Sequence, residues 1–575
     1  VMGRNAGWLT GAAALAKAED CEGVDMICLP EVAFDIDHFI ERLDVLQRAK
    51  AGVVIAVSEG VRVHDGRYVC ELTEELGPVD AFGHKTLTGA ARFLANKAVR
   101  ELGCKARAIE LSTLQRCSSH MASRVDITEA FQVGGAAAKA ARLACKLKGT
   151  HGETFPGRVA LKIDPAIIRH LIGGIHKHTF VVCGTNGKTT TNNLLCAALE
   201  REGHTVVCNH TGSNMLPGVA TALALAANWV GKFDAEYACL EVDEASARRV
   251  LKFFQPDTMV LTNLFRDQLD RYGELDITMD LLQQGIELAP NMTLVVNADD
   301  ALAASLAVHS GHPYVTYGVE EQVFDKPDNH EIREGTFCKQ CGTRLHYDFY
   351  HYSQLGSYHC PNCGFTRPKI DFNGSQVEMK NGLSFAINGQ AVTSGFRGFY
   401  NIYNILAVYA AAASADIPLP HFQEVLTSFQ TENGRNERFI IDGCPVFLSL
   451  AKNPTGFNQN LSVVFEDDRE KDLIIAINDN AQDGADVSWL WDVDFDRLAA
   501  KQIRSITASG IRAQDMRLRL KYTDIPSLLE ENIKTAIEKR LKDGCGNLYV
   551  LVNYTALDPT RRALMQMAEQ KEGEA

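Results

Sequence analysis

The chain has 575 residues, with 58 Lys and Arg against 72 Asp and Glu, a formal charge of −14. That balance argues against non-specific contact with nucleic acid or an anionic membrane surface. At 46% hydrophobic and 23% charged residues, the length suggests roughly three to four folded domains. No apolar run has the length of a transmembrane segment, and the opening Val1-Met-Gly-Arg4 lacks the pattern of a secretory signal.

In chain order, residues 1–140 read as one partial α/β unit, entered inside a motif and without its beginning. Residues 12–18 are predicted helical, 26–29 a buried strand, 36–49 an amphipathic helix and 53–57 another buried strand. An Ala-rich basic helix over 136–148 runs into Gly149-Thr-His-Gly152 and Pro156-Gly157, punctuation that predicts a seam. Residues 141–431 alternate strand-like segments (180–183, 205–208, 238–242, 259–262, 293–297) with helical ones, the βαβ rhythm of a parallel sheet covered on both faces. The stretch 335–369 breaks that rhythm with polar, aromatic and cysteine residues and reads as an insertion. Residues 432–575 resume it, with strands at 473–477, 505–509 and 548–552, as a Rossmann-like α/β domain with a frayed tail.

The richest stretch is Val181-Val-Cys-Gly-Thr-Asn-Gly-Lys-Thr-Thr190. A β-branched run ends at Gly184, and Gly187 precedes a helical pattern opened by Lys188, Thr189 and Thr190. Backbone N–H groups freed by glycines can close around phosphate oxygens, a lysine can reach the outer phosphates, and a threonine hydroxyl can hold Mg²⁺. This predicts ATP binding by residues 184–190. The spacing is not the common P-loop, since Val182 stands where that motif needs glycine. After a later strand, Leu240-Glu241-Val-Asp243-Glu244 supplies a carboxylate that could share Mg²⁺ with Thr189.

Of 16 cysteines, four form Cys338-Lys-Gln-Cys341 and Cys360-Pro-Asn-Cys363, eighteen residues apart, with Gly342 and Gly364 behind each pair. This is the spacing of a closed, structural four-thiolate Zn²⁺ site, a zinc ribbon with no open position for substrate. The other cysteines are scattered, which suits a reducing cytoplasm better than a disulfide scaffold.

The form Gly-Thr-x-Gly-Lys-Thr resembles the Mur ligase family, which makes amide bonds through acyl phosphates. The resemblance runs through most of residues 141–575. It implies a P-loop central domain over 141–431 carrying the zinc ribbon, and a ligase C-terminal domain over 432–575. Glu241 matches the family's metal-binding glutamate. Thr262-Asn263 opens a segment in which Gln268 replaces the usual histidine, and Asn404 belongs to an Asn-x-x-Asn-x-x-Ala helix (Asn401 to Ala407) that contacts adenine. Arg435, in Gly434-Arg-Asn-Glu437, approaches the nucleotide.

Ala451-Lys-Asn-Pro-Thr-Gly456, the run from Ile477 to Asp492 and Pro156 to Pro165 narrow this to a resemblance to the MurT branch. Those are ligase subunits of lipid II isoglutaminyl synthase, partnered by a GatD-type glutamine amidotransferase. The resemblance implies ATP-dependent amidation of the D-glutamate α-carboxylate in the lipid II stem peptide to D-isoglutamine. It also implies an aspartate lent to the partner's Cys-His pair: Asp486, with Asp479 and Asp483 as rivals. The implied location is cytoplasmic, with or without peripheral contact at the inner face of the membrane. The alternatives are a ligase adding an amino acid, as in folylpolyglutamate synthesis, and an inactive nucleotide-binding fusion scaffold.

Val1-Met-Gly-Arg-Asn-Ala-Gly-Trp8, Leu29-Pro-Glu31 and Leu111-Ser-Thr-Leu-Gln-Arg116 resemble the C-terminal part of pyrophosphate-dependent 6-phosphofructokinase. There Arg4, Glu31 and Arg116 would hold fructose 6-phosphate, arginine forks on phosphate and a carboxylate on hydroxyls. The donor loop and base segment of that family have no counterpart here, so the expectation is a vestigial, inactive fragment.

Overall fold

The computed structural model describes residues 24–572 except 51, 59, 73–88, 107, 109–137, 140, 143–144, 146–153, 229–232, 268–274, 325–332, 381, 430–434, 501 and 545. Two compact units divide the chain, Val1–Ile127 and Thr128–Ala575.

In the first unit, β1 (Met26–Cys28) and β2 (Ile55–Val57) pair in parallel around the helix Ile36–Ala49. Asp35 caps that helix by accepting from the N–H groups of Asp37 and His38 at 2.9 and 3.0 Å. Phe39, Ile40 and Leu43 share a small core with Leu94 and Ala98 of the helix Ala90–Leu102. β2 is shorter than the expected 53–57 and half-buried, because among the described residues its sheet has only two strands. The expected helix over 12–18, with Arg4 and Arg116, lies outside the described residues, while Glu31 is exposed just beyond β1.

In the second unit, the described residues among 138–145 are helical, within the expected 136–148, and the helix Phe155–Ile163 follows where the Pro156-Gly157 part of a seam was expected. Pro156 occupies its first turn, a position at which a missing N–H is no loss. Gly157 lets the helix Leu216–Ala226 close on it: a Cβ there would stand 1.9 Å from the Pro217 carbonyl oxygen. Pro156-Gly157 thus marks close packing of two helices, while Gly149-Thr-His-Gly152 lies outside the described residues.

Parallel strands β3 (Ile175–Cys183), β4 (Val206–Cys208), β5 (Ala235–Glu241), β6 (Thr258–Leu261), β7 (Thr293–Asn297) and β8 (Tyr314–Val319) form one side of a nine-stranded sheet, with β4 at its edge. The hairpin β9 (His346–Tyr352) and β10 (Leu355–His359) forms its own two-stranded sheet. β11 (Phe372–Glu378) adds in parallel to β8, then β12 (Leu383–Ile387) and β13 (Gln390–Ser394) add antiparallel, giving the order β13-β12-β11-β8-β7-β6-β3-β5-β4. Alternation along β3 splits the interior: Val181 and Cys183 face one core with Val219, Leu223 and Ile286, and Phe180 and Val182 face the other with Leu194, Leu195 and Ile402.

A second sheet carries the C-terminal region. It contains β14 (Arg435–Ile441), β15 (Cys444–Leu450), β16 (Lys471–Ala476), β17 (Ile503–Ser509), β18 (Leu528–Leu529) and β19 (Leu548–Val552), in the order β14-β15-β19-β16-β17-β18. Only β14 runs antiparallel to its neighbour. Along β16, Leu473 and Ile475 join one core and Ile474 and Ala476 the other. No described helix is long and apolar enough to cross a membrane. Twelve described cysteines are free thiols.

Candidate active site

β3 delivers the chain to Gly184, whose φ is +123°, and to Gly187 at +85°. Both positions require glycine. A Cβ on Gly184 would lie 2.2 Å from Thr262 Oγ1, and one on Gly187 2.2 Å from Asn404 Oδ1. The helix Lys188–Arg201 starts directly afterwards, so its unpaired N–H groups face the space the loop encloses. Asn263 clamps the loop, accepting from Asn186 N at 2.9 Å and donating to Asn186 O at 3.0 Å. The Asn263 carbonyl accepts from Thr185 N at 2.7 Å.

Lys188 is buried, with its Nζ 3.2 Å from Glu244 Oε2. Burial alone would depress the lysine pKa. The carboxylates of Glu244, Asp243, Glu241 and Asp267 outweigh it and hold the pKa above the ordinary value, so the side chain stays charged. Burial pushes the Glu244 carboxyl up, against the pull of Lys188. Nothing in the sequence spacing distinguishes Glu244 from Glu241 and Asp243 as the partner of Lys188.

Glu241, at the end of β5, is 2% exposed. Asn214 donates to its Oε1 at 3.0 Å, while Asn209 accepts from its N–H and donates to its carbonyl, both at 2.8 Å. Glu241 Oε2 and Asp243 Oδ2 are buried without a hydrogen-bond partner. Gly212 leaves a niche here: a Cβ on it would lie 3.1 Å from Thr189 Oγ1 and 3.4 Å from Glu241 Oε2. A hydroxyl and an orphaned carboxylate oxygen flanking a niche fit a hard divalent cation such as Mg²⁺.

These groups open into a cleft of about 2240 Å³ within the second unit, lined by residues of both sheets. Thr185 to Thr190, Glu241, Asn263 and Asn404 all line it. Asn404 sits against the loop glycine, accepting from Thr191 Oγ1 at 3.3 Å and donating to Asn401 Oδ1 at 2.9 Å, so it shapes the Gly184–Gly187 end of the cleft. Arg435 begins β14, and its neighbours Asn436, Glu437 and Arg438 line the cleft. From the C-terminal region Asn453 donates to Asn186 Oδ1 at 3.1 Å, and Lys452 pairs with Asp267. Asn453 also caps the helix Pro454–Phe465 through Gly456 N at 2.7 Å. The Asn-Pro step carries that cap signal, but its reach to the loop is a tertiary fact.

The four ribbon cysteines come together, with Sγ atoms all within 4.8 Å of one another. Cys338 N donates to Thr343 O at 2.8 Å and Cys360 N to Phe365 O at 2.6 Å, forming two tight knuckles closed by Gly342 and Gly364 in left-handed conformations. The β9–β10 hairpin is tied to the nucleotide domain. Gln354 at its tip donates to Leu264 O at 2.6 Å and to Asp300 Oδ1 at 3.2 Å, and Tyr352 lines the cleft.

The three candidate aspartates differ. Asp483 is buried and accepts from Thr555 N at 2.8 Å; Asp479 pairs with Arg512 at 3.0 Å. Asp486 is exposed, accepts from Ser488 N at 2.8 Å, and is held below the usual carboxylate range by that backbone bond.

Family models place these features. The Mur ligase middle domain matches residues 182–412, and the MurT ligase C-terminal domain residues 450–557. The MurT subunit of the glutamine-hydrolysing lipid II isoglutaminyl synthase of Staphylococcus aureus strain COL is 35% identical over 434 residues, 75% of this chain and 97% of that protein. The chain belongs to the MurT family of Mur ligases. The Streptococcus pneumoniae MurT subunit is 34% identical over 422 residues, 72% of this chain and 92% of that one. Membership of the Mur ligase family supports an ATP-dependent ligase. The fold agrees: a type C pseudomurein peptide ligase from Methanothermus fervidus aligns with a TM-score of 0.55 at 22% identity, covering 68% of this chain and 79% of that one.

Residues 1–141 match the phosphofructokinase model. The pyrophosphate–fructose 6-phosphate 1-phosphotransferase of Methylococcus capsulatus is 40% identical over 136 residues, which span 31% of its length and 24% of this chain. A phosphofructokinase-like segment thus precedes the MurT region.

Proposed function

We propose that the chain amidates the D-glutamate α-carboxylate of the lipid II stem peptide to D-isoglutamine. The reaction uses ATP, and a GatD-type glutamine amidotransferase supplies ammonia. The observation that carries this reading is the Gly184–Gly187 loop with Lys188 and, on the same cleft, the orphaned carboxylate oxygen of Glu241 beside Thr189, in a chain of MurT type. Lys188 and the helix N-terminus hold the outer phosphates in line with the incoming carboxylate and offset charge as the acyl phosphate forms. Thr189 and Glu241 would hold Mg²⁺, which neutralises phosphate charge when bound. Ammonia then displaces phosphate at the acyl carbon.

The thiolates of Cys338, Cys341, Cys360 and Cys363 would hold Zn²⁺, a closed and therefore structural site. Asp486 is the aspartate lent to the partner's Cys-His pair, where it orients the histidine. Its exposure supports that role, whereas Asp483 and Asp479 are engaged within the chain. Asn263, Asn404 and Arg435 serve nucleotide binding, the two asparagines through the shape of the loop. The phosphofructokinase-like segment takes no part in this reaction.

Glutamine labelled with ¹⁵N in its side-chain amide, supplied with the partner, ATP and lipid II, tests the proposal. Label recovered in the stem-peptide amide, and lost in Lys188→Ala, is the expected result. Incorporation of a whole amino acid would instead establish the folylpolyglutamate-like chemistry.

A further inference from the structure

Two thiols and an imidazole meet away from the ribbon and outside the cleft lining. Cys196 lies on the helix Lys188–Arg201, Cys208 ends β4, and His210 follows two residues later. Their Sγ atoms and a ring nitrogen of His210 all lie within 4.8 Å of one another, and both cysteines are free. Asparagines brace the group. Asn192 Nδ2 donates to Cys208 Sγ at 3.1 Å, and Asn193 Nδ2 donates to the His210 carbonyl at 3.0 Å. Thiolate and imidazole are the donor set that suits Zn²⁺, and three protein ligands leave a fourth position for water.

The location gives the grouping a consequence. Asn209, between Cys208 and His210, holds both backbone groups of Glu241 at 2.8 Å. The same loop continues to Gly212, at the niche between Thr189 and Glu241, and to Asn214, which donates to Glu241 Oε1. An ion bound by these three side chains would fix the base of that loop against the helix bearing Lys188.

We propose that Cys196, Cys208 and His210 form a second metal site, for a thiophilic divalent cation such as Zn²⁺, anchoring the loop that positions Glu241. Binding releases the two thiol protons to solvent and engages a neutral ring nitrogen of His210. The ion completes a tetrahedral shell with water. It is reached from solvent on the side of the exposed His210.

The test uses the reduced, metal-free full chain titrated with Zn²⁺, and in parallel with Co²⁺, whose thiolate charge-transfer bands report sulfur ligands. The wild-type chain is expected to bind two equivalents. Cys208→Ser and His210→Ala should each keep one tight equivalent and weaken the other at least tenfold, while Cys341→Ser loses the opposite one. His210 is exposed, so its replacement leaves the fold intact and decides the matter if the Cys208 variant folds poorly. A single wild-type equivalent that Cys341→Ser abolishes, or a second equivalent indifferent to His210→Ala, overturns the proposal; a single equivalent lost in His210→Ala instead removes the ribbon metal and leaves this site standing. None of these results depends on ligase activity.

Discussion

Lys188 Nζ lies 3.2 Å from Glu244 Oε2, and both side chains are buried. The lysine is therefore held by a carboxylate at the N-terminus of the helix Glu244–Val250. Removing one member of such a pair leaves an unpaired buried charge, which costs about 3–5 kcal/mol. Lys188→Met should accordingly lower the midpoint of thermal unfolding as well as abolish ATP turnover. The double variant Lys188→Met/Glu244→Gln should recover most of the lost stability and none of the turnover. Calorimetry and a phosphate-release assay on the same samples separate the two effects, and stability unchanged in the single variant would contradict the pairing.

Gly212 combines a φ of +74° with a niche bounded by Thr189 and Glu241. Gly212→Ala forces a left-handed alanine, costing on the order of 1 kcal/mol, and puts a methyl where a cation would sit. The expected phenotype is a rise of about tenfold in the Mg²⁺ concentration needed for half-maximal turnover, equivalent to about 1.4 kcal/mol. Saturating Mg²⁺ should restore most of the rate. A variant equally slow at every Mg²⁺ concentration would show that the niche serves something else.

The ribbon should stabilise the nucleotide domain at a distance, because Gln354 on its hairpin bonds both Leu264 O and Asp300. Cys341→Ser, or extraction of metal by a strong chelator, should lower the unfolding midpoint by on the order of 10 °C, since the bound metal contributes folding free energy directly. It should also weaken ATP binding, because Tyr352 and the Leu264 segment border the cleft. Equal melting curves with and without chelator would remove zinc from the structural account.

Regular elements with one dominant pattern were legible in the sequence. The amphipathic stripe of Ile36–Ala49 and the apolar runs Thr293–Asn297 and Leu548–Val552 match the expected bounds, since buried faces and β-branching both point one way. β11 to β13 were not anticipated, because Phe372–Glu378 carries Asn373, Gly374 and Ser375 in place of an apolar alternation. The loop glycines and Lys188 were readable because phosphate binding dictates residue types locally. Glu244, Asn209, Asn214 and Asn453 were not, since their roles arise only when loops distant in sequence converge. Pro156 and Gly157 misled for a related reason: glycine at a close helix crossing has the same spelling as glycine in a linker.

Asp300 is fully buried at the N-cap of the helix Ala301–Ser310, and burial raises its carboxyl to about 6 despite hydrogen bonds from Leu264 N, Leu302 N and Gln354. A carboxyl whose folded pKa exceeds its unfolded value of about 3.9 contributes stability fully present below pH 4. That contribution is lost as pH rises through 6. The difference amounts to at most about 3 kcal/mol for two pKa units. Asp300→Asn keeps an acceptor for the cap and cannot ionise, so the stability gap between wild type and variant should shift against the wild type between pH 4 and 6.5, then level off. Denaturant midpoints at half-unit pH steps check this; a gap independent of pH would mean that Asp300 ionises normally.

Asp486 offers the sharpest division between the chemistry of this chain and that of its proposed partner. Its carboxylate is exposed, held below the usual carboxylate range by Ser488 N, and lies on the loop beyond β16. If it completes the partner's Cys-His pair, its loss should affect glutamine hydrolysis and leave the ATP-dependent step intact. Asp486→Asn should therefore lower glutamine-driven amidation by about 10³-fold or more, the scale on which a triad aspartate acts. Amidation driven by high ammonium chloride should persist near the wild-type rate. Asp479→Asn and Asp483→Asn are expected to change stability through Arg512 and Thr555 more than they change this ratio. Equal losses with both nitrogen sources in Asp486→Asn would move the residue from the partner's chemistry to the ligase's own. A loss of glutamine use confined to Asp479→Asn or Asp483→Asn would transfer the role to that residue.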